Sequence, residues 1–453
     1  IKGVAFERFL GRTFRGEIGQ FFTPRSIVEF IVHMLDPQEN ELVCDPASGS
    51  GGFLIRVFEI VREKILADAD REYNEFRKKI EAEKSPPEEK RAKLLQDKYN
   101  EIQKTIDQIK EGSRLWNLAN RCIFGTDAND RMARTSKMNM IMHGDGHGGV
   151  HHHDGFLNVN GIFEGRFDII LTNPPFGANV EPSDIILEAD TKVNPADEER
   201  YIKEYGELYQ EAQARVKAAV NNPISSLFNL PKGKESKIKT EILFIERCLD
   251  LLKPGGRMGI VLPEGVFNNP SLAHVREFTE NQAFIRAAVS LPQEAFISSG
   301  ASVKASLLFL KKFTEEEKEQ FDHIHAAAKG EIEARYAGEI VGETQRLEDA
   351  IVIKKDAKDS EKRKSLQKEL KDYLKRMEEK KEAESRQLLK TRFDYPIFMY
   401  EAQKVGISAT GEEDQNELYP NPNQPVDIEK TCLEWYREFL TNPKAFAEAG
   451  GYD

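Results

Sequence analysis

The sequence predicts a doubly wound α/β fold with helical insertions and a helical C-terminal region. Three observations predict it. A strand, a glycine-rich turn and a helix opening run together at Leu42–Ile55; further short apolar runs stand at 121–126 and 167–172; and residues 240–311 read as helix, turn and buried strands. Short apolar runs alternating with helical patterns indicate a mostly parallel sheet covered on both faces.

The first element is Leu42-Val43-Cys44-Asp45-Pro46-Ala47-Ser48-Gly49-Ser50-Gly51-Gly52-Phe53-Leu54-Ile55. Glycines at 49, 51 and 52 let the backbone approach a ligand without Cβ interference, and the helix start presents free amides to a carboxylate. Asp45, at the strand end, is placed to bind a ligand ammonium. A glycine turn is often only a turn, but one that follows a strand and opens a helix reads as a nucleotide-type ligand loop.

Residues 62–118 are rich in Glu and Lys and broken at Ser85-Pro86-Pro87, which predicts two helices joined at the prolines as an antiparallel pair. The charge pattern suits a solvated surface, or a contact to DNA or another subunit. The second strand follows at Arg121-Cys122-Ile123-Phe124-Gly125-Thr126, with Asp127 at its end, a position where nucleotide-binding sheets carry an acid. Such an acid usually lies about 20 residues beyond the glycine loop. The helical insertion accounts for its displacement.

Phe167-Asp168-Ile169-Ile170-Leu171-Thr172 is a further buried strand, and Asn173-Pro174-Pro175-Phe176 follows it directly. An exocyclic base amine is a poor nucleophile because its lone pair is delocalised into the ring. The Asn173 side-chain oxygen and the Pro174 carbonyl are suited to accept its two hydrogens and aim the lone pair at an electrophilic methyl group. The prolines restrict the backbone and Phe176 offers a face for the base. Taken alone, the four residues would equally suit a Pro-rich turn ending a strand.

Residues 181–230 read as a polar insertion, helical over Tyr201–Val220, and Lys232, Lys234, Lys237 and Lys239 form either a phosphate-contacting stretch or a solvated linker. A core helix is expected through Ile242–Leu249, a turn at Pro254-Gly255-Gly256, and strands at Met258–Leu262, Ala287–Leu291 and Ser306–Leu310, the sheet closing on an antiparallel edge. From about Thr314 the composition becomes charge-rich. Leu366, Leu370, Leu374, Met377 and Leu388 mark a helix over Lys355–Lys390 that either docks a partner or packs on its own chain. Thr391–Asp453 reads as loop-rich with a closing helix near Thr431–Leu440.

Asp45-Pro-Ala-Ser-Gly-Ser-Gly-Gly-Phe followed by Asn173-Pro-Pro-Phe resembles N6-adenine DNA methyltransferases. With Gly19-Gln20-Phe21-Phe22-Thr23-Pro24-Arg25 before the glycine loop and Leu252-Lys253-Pro254-Gly255-Gly256-Arg257 leading into Val261-Leu262-Pro263, the chain resembles the modification subunit of type I restriction-modification systems over about residues 1–312. The resemblance implies a Rossmann-like domain that uses S-adenosylmethionine to methylate adenine N6 in double-stranded DNA, with the adenine flipped out of the helix. Thr23, Asp45, Pro46, Ala47, Gly49, Gly51, Asp127 and Asp154 would hold the cofactor. Asn173, Pro174, Pro175 and Phe176 would perform the chemistry, and Phe176 and Phe296 would wall the base. Asp145 competes with Asp154 for the cofactor's adenine amine.

The same resemblance makes residues 1–312 the catalytic domain, with insertions at 62–118 and 181–240, and 313–453 a mainly helical region for subunit contact. It implies a specificity subunit as partner, with a restriction subunit alongside where a nuclease exists, and a helical domain ahead of Ile1. His143, His147 and His151 to His153 sit in a glycine-rich stretch without thiolates or a helical i, i+4 pair, so no metal site is expected.

Composition agrees with an enzyme of more than one unit: 453 residues suffice for a sizeable core. Cys44, Cys122, Cys248 and Cys432 lack paired spacing, which points to a reducing, cytoplasmic setting. No run of about 18 apolar residues indicates a membrane span. The net charge of −12 argues against indiscriminate coating of DNA, leaving room for a local basic cleft. Three other readings remain open: a self-contained DNA adenine methyltransferase; an RNA or protein-glutamine methyltransferase, which uses a similar Asn-Pro-Pro-aromatic loop; and a silent scaffold that binds cofactor or a nuclease subunit.

Overall fold

The computed structural model describes residues 22–83, 87–144, 148–230, 237–299, 303–353 and 360–448. The described residues up to Lys312, together with those from Ile397, form one compact unit, and Phe313–Pro396 form a second.

The first unit is built on an eight-stranded sheet. In chain order its strands are β1 (Val43–Asp45), β2 (Ile123–Asp127), β3 (Val150–His152), β4 (Phe167–Thr172), β7 (Leu252–Pro263), β8 (Ala283–Ser290), β9 (Ala305–Lys312) and β10 (Phe398–Glu401). The spatial order is β10-β8-β9-β7-β4-β1-β2-β3. Two small ladders accompany it, β5 (Asn179–Val180) with β6 (Ile238–Lys239) and β11 (Val405–Ile407) with β12 (Glu413–Asn416). Val43 of β1 faces Ile123 on one side and Ile169 on the other, both parallel.

β1 and β4 divide their side chains between two cores, alternately along each strand except across the irregularity between Phe167 and Ile169. Val43, Ile169 and Leu171 pack into one, with Phe30 and Ile31 of α1 (Arg25–Leu35) and Leu54 and Phe58 of α2 (Gly52–Ala82). Cys44, Phe167 and Ile170 pack into the other, with Leu243, Phe244 and Leu249 of a helix at Thr240–Leu251. Helices on both faces of a largely parallel sheet make the doubly wound Rossmann-like fold expected from the strand and glycine pattern.

The structure alters several expectations in detail. The antiparallel strand is internal: β9 runs against both β7 and β8, and β10 then adds parallel to β8. Phe398 of β10 is buried against Tyr436 and Phe439 of the closing helix at Cys432–Thr441. Residues 397–448 therefore belong with the sheet unit, and the single region expected from 313 to 453 is divided at Pro396/Ile397. The histidine stretch contains β3, whose His151 pairs with Thr126.

The first arm of the 62–118 insertion is not a new helix. It is the continuation of the helix that opens at Gly52, running 31 residues to Ala82, before α3 (Glu88–Thr105). Lys98 of α3 reaches Glu72 of α2 at 2.7 Å, and Tyr73 meets Tyr99 edge to face. After α4 (Asp130–His143), the 181–230 insertion holds α5 (Pro195–Tyr205) and α6 (Glu207–Ala218). They are separated by Gly206 at φ +63°, so the helix expected over Tyr201–Val220 is broken. The helix Thr240–Leu251 is α7, and α8 (Ala273–Glu280) precedes β8.

The second unit consists of α9 (Glu315–Ile353) and α10 (Ser360–Arg392). Tyr336 of α9 donates its hydroxyl to Glu384 of α10 at 2.7 Å, and Arg392 of α10 binds Glu331 of α9 at 2.5 Å. Met377 and Leu389 are buried while Leu374 is exposed, so the inner face of α10 is the one through Met377 that packs within the unit. The four cysteines are buried and form no disulfide, and among the described residues no helix is long and apolar enough to cross a membrane.

Candidate active site

The strands β4, β1, β2 and β3 lie side by side and parallel, so their carboxyl ends form one rim at the point where the strand order reverses. Ligands of open α/β sheets bind at such a switch point. Asp45 ends β1 on this rim and is 1% exposed. Its Oδ1 accepts the Thr172 hydroxyl at 2.7 Å and the Ala47 amide at 3.0 Å, while its Oδ2 is buried without a partner. Burial pushes the Asp45 carboxyl up to about 7, against the two hydrogen bonds, and the nearby Asp127 carboxylate adds to the rise.

Asp127 ends β2, and its Oδ2 accepts the Gly49 amide at 3.0 Å while Oδ1 accepts the Asn129 amide at 2.8 Å. This carboxylate thus fixes the glycine loop from the neighbouring strand. The Ser48 amide adds a bond to the Thr126 carbonyl at 2.8 Å, and the Thr126 hydroxyl bridges towards the carbonyls of Pro46 and His153. Gly51 lies at φ +86°, and a Cβ there would meet Ser136 Oγ on α4 at 2.6 Å. Close backbone approach is therefore built into the loop.

Asp154 follows β3. Its Oδ1 accepts the Phe156 amide at 2.9 Å, and burial raises its carboxyl above the usual range. A Cβ on Gly155 would overlap the Pro46 carbonyl oxygen, so the 154–156 turn lies directly against the glycine loop. Asp45, Asp127 and Asp154 accordingly stand at three adjacent strand ends. Asp145, His147, Lys232, Lys234 and Gly19 to Phe21 lie outside the described residues.

Asn173 is the first residue beyond β4. Its Nδ2 donates to Thr23 Oγ1 at 2.9 Å, and its Oδ1 is buried without a partner. Pro174 is buried, Pro175 exposed, and Phe176 half-buried against the α1 and α2 core. Thr23, Asp45, Gly49, Phe53 and Asn173 line one cavity that opens to solvent. Neither Asp127 nor Asp154 lines that cavity; they sit behind and beside the loop. A second cavity of about 780 Å³ continues past Thr23 between α1 and α2, lined by Arg25, Glu29, Arg56 and His143. Arg56 there bonds Glu29 at 2.5 Å and Glu59 at 3.2 Å.

Phe296 requires a correction. It is 2% exposed and packed in the core with Leu291 and Ala295, so its ring offers no open face to a base. The pattern that suggested it, an aromatic in a loop between two strands, is also that of an ordinary core anchor. Among the described residues no group of three His, Cys, Asp or Glu side chains is placed to hold a metal ion.

Two residues escaped sequence reasoning. Arg247 of α7 is 1% exposed and donates to Gly155 O, Leu157 O and Asn158 Oδ1 at 2.8–2.9 Å, fixing the turn beyond Asp154. Glu241, at the start of the same helix, is also buried. The available signal was a charge inside the apolar run Ile242–Leu249 for Arg247 and one directly before it for Glu241, since buried charges are kept only where they are bonded.

The family model described as N-6 DNA Methylase matches residues 2–85, 101–243 and 224–368, well over half of the chain. Among curated relatives, the chain is 24% identical over 303 residues to the type I restriction enzyme StySPI methylase subunit of Salmonella potsdam, covering 65% of this chain and 41% of that protein. It is 23% identical over 299 residues to the EcoEI methylase subunit of Escherichia coli, covering 66% and 43%. The chain thus spans about two-fifths of the length of these relatives. Among solved structures, the type I restriction enzyme EcoKI M protein is 19% identical, covering 67% of this chain and 46% of that one with a TM-score of 0.39.

Proposed function

Because this chain belongs to the N-6 DNA methylase family, we propose that it transfers a methyl group from S-adenosylmethionine to adenine N6 in DNA, as the modification subunit of a type I restriction-modification complex. The observation that carries this reading is the buried, unpartnered Oδ1 of Asn173, held in place by the Nδ2 bond to Thr23 beside a cavity floored by the glycine loop. A buried acceptor without a donor costs stability and implies a ligand that supplies one.

The residues fit the cofactor. Asp45 Oδ2 is a second buried acceptor, suited to an ammonium group, and the Thr23 hydroxyl keeps its own proton for the cofactor's carboxylate while accepting from Asn173. Asp127 and Asp154, which end or follow the next two strands of the same rim, are assigned to the ribose hydroxyls and the adenine amine by that placement. S-adenosylmethionine supplies an electrophilic methyl carbon whose bond to sulfur breaks, its electrons passing to sulfur, as the bond to N6 forms.

The chain's own contribution is alignment. Asn173 Oδ1 and Pro174 O accept the two N6 hydrogens, localise the nitrogen lone pair and hold it in line. One N6 proton stays at Asn173 Oδ1 during transfer and passes to water afterwards. Phe176 stacks on the base, which must leave the duplex at a cost of about a few kcal/mol. The described part of the chain presents no base-reading module, so a specificity subunit supplies site recognition, with a restriction subunit joining where cleavage occurs. Since α10 uses its inner face within its own unit, a partner would meet the outer faces of 313–396, where Val341 and Leu374 are exposed.

The test is methyl transfer from radiolabelled S-adenosylmethionine to DNA by the purified chain, alone and with a specificity subunit, with the product base identified by mass spectrometry. N6-methyladenine formed efficiently only with the second subunit is expected. Sequence-specific methylation by the chain alone would overturn the division of labour, and absence of cofactor binding would overturn the enzymatic reading.

A further inference from the structure

The catalytic loop does not end freely. Past Phe176, the Gly177 amide donates to Glu241 Oε2 at 3.1 Å, Lys239 Nζ donates to the Gly177 carbonyl at 2.7 Å, and the Thr240 amide donates to the Ala178 carbonyl at 3.1 Å. The β5–β6 pairing, Asn179 with Lys239 and Val180 with Ile238, completes the seam. Gly177 stands at φ +77°, the left-handed region that glycine enters and leaves easily. Left alone, it would be a hinge directly behind the residue that meets the base. Instead both peptide planes flanking it are held by side chains from one short segment.

Glu241 is the buried member of this pair. It is 7% exposed, forms no ion pair among the described residues, and stands in the first turn of α7, where the helix dipole favours an anion. It is one of three buried charges on α7 that each bind a loop. Glu246 accepts the Asn229 and Leu230 amides at 2.7 and 2.8 Å, and Arg247 holds the turn beyond Asp154. A charge retained at 7% exposure for one backbone amide is costly unless that amide must be fixed.

We propose that Glu241 is a positioning residue for methyl transfer, which locks Gly177 and so presents Phe176 and Pro174 to the extruded base. Lys239, exposed beside it, is the solvent-side half of the same latch. The inference rests on the methyltransferase reading for its effect on turnover, whereas the latch itself is measurable without any reaction.

The experiment compares the full chain with Glu241→Ala, Glu241→Gln and Lys239→Ala. Hydrogen exchange by mass spectrometry reads the peptide spanning 174–180, and the methylation assay, with the specificity subunit present, reads kcat and KM. Glu241→Ala is expected to speed exchange at Gly177 and lower kcat, each by roughly tenfold or more, with S-adenosylmethionine affinity nearly unchanged. Glu241→Gln keeps an acceptor oxygen and should restore both. Should Glu241→Ala fail to fold, Lys239→Ala on the exposed side must show the same changes in smaller measure. Wild-type exchange and kcat in both alanine variants, or a glutamine variant as defective as alanine, would overturn the latch. If the wild-type chain transfers no methyl group while the exchange differences persist, the functional reading fails and the latch stands.

Discussion

Thr23 and Asn173 are 150 residues apart in sequence, and one hydrogen bond of 2.9 Å joins them. It uses one of the amide's two N–H donors and leaves its acceptor oxygen buried without a partner. Thr23 also lines the cavity beside Asn173, so in the proposed reaction ligand recognition and amine polarisation would meet at this one pair of residues.

Replacing Asn173 with alanine removes the acceptor while leaving Asp45 and the glycine loop in place. Methyl transfer should fall roughly 10²- to 10³-fold, with S-adenosylmethionine still binding by calorimetry. Near-normal turnover in this variant would exclude an amine-acceptor role.

Asp45 predicts a pH dependence of the ligand-free protein. Its folded carboxyl is raised from 3.8 to about 7, so between those values the folded state keeps a proton that the unfolded chain has lost. Stability from this group is therefore present at low pH and declines as pH rises through that window. Asp45→Asn should melt higher than wild type at about pH 8 and alike at about pH 4, while losing S-adenosylmethionine binding. Wild-type affinity for that cationic ligand should strengthen as Asp45 ionises towards pH 8. A melting temperature for Asp45→Asn that tracks wild type at both pH values would refute the assignment.

Asp127 carries two tasks, so its removal should show in two measurements. Asp127→Ala frees the Gly49 amide and deletes the ribose acceptor, and cofactor affinity should weaken by about 1.5 to 3 kcal/mol together with a lower melting temperature. Unaltered calorimetric affinity would mean that the carboxylate serves the loop alone.

Gly155→Ala places a methyl group on the Pro46 carbonyl oxygen. Backbone cannot yield as a flexible side chain can, so a stability loss of about 1 to 3 kcal/mol is expected, with weaker cofactor binding as the loop shifts. Equal thermal stability in this variant would show that the 154–156 turn can move away from the loop.

What the sequence makes legible is local. Asp45 through Gly52 and Asn173 through Phe176 each form a self-contained signal: a strand, then a turn whose residues match the chemistry. The positions of β1, β2, β4, β7, β8 and β9 along the chain followed from short apolar runs, whereas their order in the sheet did not. β3 was obscured because three residues at an edge, two of them histidine, carry no apolar alternation. β10 was obscured because Phe398 pairs with Ala287, far upstream. The Thr23–Asn173 bond and the Glu241–Gly177 bond join segments 150 and 64 residues apart, and no window on the sequence contains both ends. Phe296 misled for the opposite reason: its local setting matched a binding loop, while its burial is decided by the packing of distant residues.

The last strand of the sheet has a consequence for biosynthesis. β8 forms between 283 and 290, yet its outer neighbour β10 arrives only at 398–401, after the whole of α9 and α10 has been made. Until then a growing polypeptide on the ribosome carries β8 with one row of backbone donors and acceptors open, the kind of unpaired edge that recruits other strands. The nascent chain must therefore shield that edge for the time needed to translate more than a hundred further codons, and crowded polysomes would be the place where misassociation begins.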